Sequence, residues 1–130
     1  MKILKFAFVI LVMVIGLSSC QKDDEPKDNS QSVEGTWEGH WGFNTETPSV
    51  FEKWEMGELS TLNAYLGDGT WRAVGSWDQE GNEIEVHYTA LASNYRYTYI
   101  GTYDEVAGKI TGHWNDDDFL IGGTFEMERQ

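Results

Sequence analysis

Tyr95-Arg96-Tyr97-Thr98-Tyr99-Ile100-Gly101-Thr102-Tyr103 decides how this chain is read. Tyr95, Tyr97, Tyr99 and Tyr103 fall on one parity, and Arg96, Thr98 and Thr102 on the other. Successive side chains of a strand point to opposite faces, so this spacing predicts a half-buried strand over Tyr95–Tyr103 with a row of tyrosines inside.

The same period of two runs outward in both directions. Towards the N-terminus it predicts strands at Gly35–Asn44, with Trp37, Trp41 and Phe43 inward, and at Ser49–Met56, with Val50, Glu52, Trp54 and Met56 inward. A third strand is expected at Leu59–Leu66 through Leu62, Ala64 and Leu66, and a fourth at Thr70–Trp77 through Trp71, Ala73 and Trp77. Glu83–Thr89 follows, with Ile84, Val86 and Tyr88 inside. Beyond the tyrosine row come Lys109–Trp114, with Ile110 and Trp114 inward, and Phe119–Arg129, with Phe119, Ile121, Phe125 and Met127 inward. Gly67-Asp68-Gly69, Asp78–Asn82 and Asp104–Gly108 supply turn chemistry between them, and Asn115–Asp118 reads as an acidic loop. No stretch after residue 20 carries a 3.6-residue period.

Eight short strands joined by tight turns imply an all-β, antiparallel up-and-down meander. A sheet with one apolar face leaves two open edges, and closing into a barrel removes both. The expectation is a small eight-stranded barrel, with a flattened sandwich as the alternative. Parity turns Trp37, Trp41, Phe43, Trp54, Trp71, Trp77, Tyr88, Tyr95, Tyr97, Tyr99, Tyr103, Trp114, Phe119 and Phe125 inward. An eight-stranded barrel has room for its own side chains or for one small ligand. That many rings predicts a packed interior with a shallow opening at one end. Glycines recur two residues before an aromatic on the same face, as in Gly75–Trp77, Gly101–Tyr103 and Gly123–Phe125, so a ring can lie near a position without a side chain.

The segment ahead of these strands is of another kind. Lys2 and Lys5 precede an apolar run from Phe6 to Leu17, which is shorter than the roughly 20 residues of a spanning helix and is followed by Ser18, Ser19 and Cys20. Leu17-Ser18-Ser19-Cys20 resembles the bacterial lipobox. The resemblance implies a signal peptide over residues 1–19 and a lipidated Cys20. Residues 21–32 are polar throughout and read with Cys20 as a flexible acidic tether, about 20 Å long on average as a coil. Lys22-Asp23-Asp24-Glu25 resembles the export signal of surface-exposed lipoproteins of Bacteroidota-type bacteria, implying an outer-membrane, surface-exposed location. The barrel domain is then 33–130.

Loss of Lys2 and Lys5 with the signal leaves 7 basic against 22 acidic residues. Such a charge argues against nucleic acid as a partner, because phosphates are held by Lys and Arg. With Cys20 the only cysteine, no internal disulfide or cysteine-based zinc site can form. Enzymatic signatures are absent from the sequence: His40, His87 and His113 fall on outer faces of three strands, and no nucleophile elbow or phosphate loop occurs. Asn115–Asp118 lacks the alternating spacing of a calcium loop, so no metal is expected. No cofactor is expected either.

Gly35-Thr36-Trp37, the meander of hairpins and the closing Gly123-Thr124-Phe125-Glu126-Met127-Glu128-Arg129 resemble small lipocalin-like lipoprotein domains. That resemblance implies the barrel and a non-catalytic role in binding a small hydrophobic or glycan-like ligand. Glu52 is the inward residue least at ease in an apolar interior, since an unpaired buried carboxylate is costly. With Trp54, Tyr95, Tyr97 and Tyr99 it makes the candidate ligand-binding set. The alternative function is a structural or interaction lipoprotein whose packed barrel contacts another envelope protein.

Overall fold

The computed structural model describes residues 31–118 and 120–130. The expected signal peptide, the expected lipidation at Cys20, most of the expected tether and the expected inward placement of Phe119 fall outside them. Eight antiparallel strands form a closed barrel in sequence order: β1 (Gly35–Phe43), β2 (Val50–Met56), β3 (Thr61–Tyr65), β4 (Trp71–Glu80), β5 (Glu83–Ala90), β6 (Arg96–Asp104), β7 (Lys109–Asp116) and β8 (Gly122–Arg129). The barrel is closed by pairing of β1 with β8, from Trp37 opposite Arg129 to Phe43 opposite Gly123. Both edges of the meander are thereby consumed, and the sandwich alternative is excluded. Every strand finds its two neighbours within 35–129, so the barrel does not depend on the rest of the chain for its ladders.

The expected parity holds along most of the barrel. Trp37, Trp54, Met56, Leu62, Ala64, Ala73, Ile84, Val86, Tyr88, Tyr99, Tyr103, Ile110, Trp114, Phe125 and Met127 are buried together in one core. Trp54 packs edge-on to Tyr99 with ring centroids 5.0 Å apart, and Tyr99 packs edge-on to Phe125 at 5.1 Å. Rings therefore fill the centre of the barrel, each contributing on the order of 150–250 Å² of burial. Close approach of neighbouring strands requires glycine at Gly39, where a Cβ would strike the backbone carbonyl of Glu126. The ring of Phe125, from β8, lies over Gly101 of β6, a contact between strands and not the same-strand pairing of glycine and ring that the spacing suggests.

The two ends differ. One is plugged by Val33, which is fully buried and accepts the indole N–H of Trp37 on its carbonyl at 2.7 Å. Gln79 Oε1 accepts the Val33 amide, while Arg129 donates to the carbonyls of Glu34 and Ser32 and lies 4.7 Å over the Trp37 ring. Residues 31–34 are thus strapped across this end. The opposite end, formed by loops 44–49, 66–70, 91–95 and 117–121, carries no such strap among the described residues.

Several placements depart from the expected ones: β4 runs through residues 78–80 of the expected turn, and β8 begins at Gly122 instead of 119. Trp71 faces outward, 52% exposed, with its indole N–H on Asn63. The cause is a β-bulge: Ala64 pairs with Ala73 but Tyr65 with Trp71, so Arg72 is an extra residue and parity flips across it. Leu59 and Ser60 form a 3-10 turn with positive φ rather than the start of β3. In addition β7 runs on to Asp116, which turns that residue from loop into buried strand end. Phe43, Val50, Tyr95 and Ile121 have the inward parity but lie at the strand ends, where there is no opposite wall, and stand partly exposed.

Candidate functional site

At the unplugged end the aromatic parity set comes to the surface. Trp41, Phe43 and Trp114 pack edge-on to one another with centroids 5.1–5.5 Å apart. With Tyr95, Tyr97, Asp116 and Ile121 they line an open bowl of about 340 Å³. A second depression of about 530 Å³ lies on the other side of Tyr97, between the loops that follow β3 and β5, and includes Leu66, Trp71, Arg72 and Leu91. Exposed Phe43, Trp71, Leu91, Tyr95, Leu120 and Ile121 rim this mouth. Apolar side chains are thus concentrated at one end of an otherwise acidic protein.

Beneath the mouth lies a polar cluster. The inward parity of β2 carries Glu52 into the core, where it is 1% exposed. Trp54 Nε1 donates to its Oε1 at 2.8 Å. Arg72, swung inward by the bulge, brings Nε to 3.9 Å from Oε2, which is ion-pair range but too long for a hydrogen bond. Its guanidinium lies over the rings of Trp41 and Tyr97, 5.4 and 5.8 Å from their centroids. Glu52 Oε2, Arg72 Nε and Trp41 Nε1 are buried and have no hydrogen-bond partner among the described residues. Burial pushes the Glu52 carboxyl above its ordinary value of 4.5, and the opposing pull of Arg72 and of the Trp54 hydrogen bond only partly offsets it. Below the carboxylate, Tyr88 and Tyr99 share a hydroxyl–hydroxyl hydrogen bond of 2.7 Å. Burial drives both phenols well above 10.0, so they serve as neutral partners rather than as bases.

The sequence-predicted set therefore separates into two layers. Glu52, Trp54 and Tyr99 come together in the core, sealed from solvent, while Tyr97 and Tyr95 reach the bowl. Arg72, Trp41, Trp114 and Asp116 belong to the mouth as well and were not anticipated as site residues. Trp41 and Trp114 were legible as inward rings, but parity does not say which end of a strand is open. Arg72 carried the wrong parity and became inward only through the bulge. His40, His87 and His113 stand exposed on the outer wall, with His87 bonded to Glu85 and Thr98. No family model matches the chain, and no curated protein or solved structure matches it.

Proposed function

We propose that this chain is a lipoprotein anchored through Cys20 in the outer membrane and displayed at the cell surface, with a non-catalytic barrel that binds a small amphipathic or glycan-like ligand at its mouth. The observation that carries the binding half is the bowl of Trp41, Phe43, Tyr95, Tyr97 and Trp114 at the unplugged end. Ring faces and edges recognise apolar or sugar-like surfaces, and the filled centre confines the ligand to this shallow site. Titration of residues 21–130 with fatty acids, haem and oligosaccharides, read by tryptophan fluorescence, tests it. Quenching or a spectral shift with one class supports the reading, and silence with all three overturns it.

Support for the anchor comes from Leu17-Ser18-Ser19-Cys20 alone. Cys20→Ala is expected to leave the precursor unprocessed and without acyl chains. A Cys20→Ala protein that still incorporates labelled fatty acid would remove the anchor from the proposal.

The second reading, a packed barrel that contacts another envelope protein, is favoured by the ring-filled centre and the exposed rim. It gains if the small-molecule titrations are silent and crosslinking from Phe43 or Leu120 captures one defined protein.

A further inference from the structure

Arg72 is an anomaly of charge in this chain. Acidic residues outnumber basic ones 22 to 9, and the other cations of the barrel meet their partners nearer the solvent. Lys53, Arg96 and Lys109 lie against carboxylates of Glu55, Asp118, Glu126 and Glu128. Arg129 donates to two carbonyls of the strap. Arg72 instead sits 19% exposed at the mouth, with a buried Nε that donates to nothing among the described residues. Glu52 Oε2 lies 3.9 Å from this Nε. The rings of Trp41 and Tyr97 hold the guanidinium through its face, a contact that leaves the N–H edge unspent.

We propose that the depression of about 530 Å³ beside Arg72 takes an amphipathic monocarboxylate, its head on the Arg72 guanidinium and its apolar body along Trp71, Leu66 and Leu91. This rests on the mouth-binding reading and names the ligand class. The volume falls within the roughly 300–1,000 Å³ of small-molecule sites. A guanidinium presents parallel donors that match a planar two-oxygen head, and the fork is held in place in advance by the two rings. The low exposure of Arg72 strengthens such a bond, because water competes less for either partner. Thr70 and Ser93 border the same depression. The outward turn of Trp71, forced by the bulge, lays an exposed indole on the wall where an alkyl or ring body would rest.

Calorimetric titration of residues 21–130 with octanoate, octanol and octyltrimethylammonium separates head from tail. Octanoate is expected to bind at least about tenfold more tightly than the other two, the share of a charge-assisted hydrogen bond. Arg72→Gln, made in the Glu52→Gln background so that no carboxylate is left buried without its cation, should abolish that preference. Trp71→Ala should weaken octanoate without reversing the order. In the unsubstituted protein, octanoate should shift the Arg72 Nε–H resonance, a readout that does not depend on any variant folding. Equal affinity for all three amphiphiles, or an unmoved Arg72 resonance at saturation, overturns the ligand class and leaves mouth binding standing. Failure of all three to bind overturns this inference, while mouth binding as a whole falls only if fatty acids, haem and oligosaccharides also fail.

Discussion

Glu52 and Arg72 face each other beneath the barrel mouth, 3.9 Å apart and without a hydrogen bond, although they come from different strands and only one has the parity to be inside. The pair owes its existence to one inserted residue in β4. Its energetics are unbalanced: the carboxylate is fully withdrawn from water, and its cation stops short of bonding it.

Glu52 gives the stability a defined pH dependence. A carboxyl raised above 4.5 in the folded chain takes up a proton more readily there than when unfolded. The folded state is therefore favoured below pH 4.5, and the advantage fades as pH rises from 4.5 through the higher folded-state value. Glu52→Gln keeps an acceptor for Trp54 and removes this loss. The variant should match the parent near pH 4 and gain on it steadily as pH rises towards 7. Thermal melts of both proteins across pH 4–8 would show the divergence, and parallel curves would contradict it.

Removing the cation should do the opposite. Arg72→Met leaves Glu52 buried without a counter-charge and should cost about 3 kcal/mol at pH 7, the low end for breaking a buried pair. The Glu52→Gln/Arg72→Met double variant should recover most of that cost. Urea unfolding of the four proteins closes the cycle, and a double variant as unstable as Arg72→Met would show that Arg72 acts through packing on Trp41 and Tyr97 instead.

The bulge can be tested through the two tryptophans it sorts. Trp54→Ala empties the centre of the core and should cost about 3–5 kcal/mol. Trp71→Ala removes an exposed ring from the outer wall and should cost under about 1 kcal/mol. Comparable losses in denaturant midpoint would mean that Trp71 points inward after all.

Glycine positions should divide in the same way. A Cβ at Gly39 would meet the β8 backbone, which cannot move without opening the barrel seam, so Gly39→Ala should cost several times more than Gly81→Ala. Gly81 lies in a turn with φ of +60° and open space around it, and its substitution costs only about 1–2 kcal/mol of backbone strain. Chemical denaturation of the two variants measures the difference.

The limits of the sequence reading follow from what a period of two can encode. Alternation of the rings from Trp37 to Phe125 gave the strand number, the inward faces and the packed centre, because every second residue of a regular strand must share a face. It failed at Arg72, where the pairing of Ala64 and Tyr65 with β4 gains one residue. A bulge is a property of two strands together and leaves no trace in the alternation of either. The strap at 31–34 escaped for a similar reason. Val33 is a single apolar residue after a polar run, and only the arrival of Gln79 and Arg129 from distant strands makes it a plug. The candidate site was half legible: the tyrosine row was read correctly as inward, but depth along the barrel axis separates Tyr95 at the rim from Tyr99 at the bottom.

The strap also decides how the domain bears mechanical load. Tension arriving through residue 31 meets the Val33 and Ser32 contacts first and then runs along the axis of β1. That strand is laddered on both sides, to β2 and to β8, so the pull shears two rows of bonds together instead of unzipping one at a time. A pull applied at residue 31 is thus borne by two ladders at once.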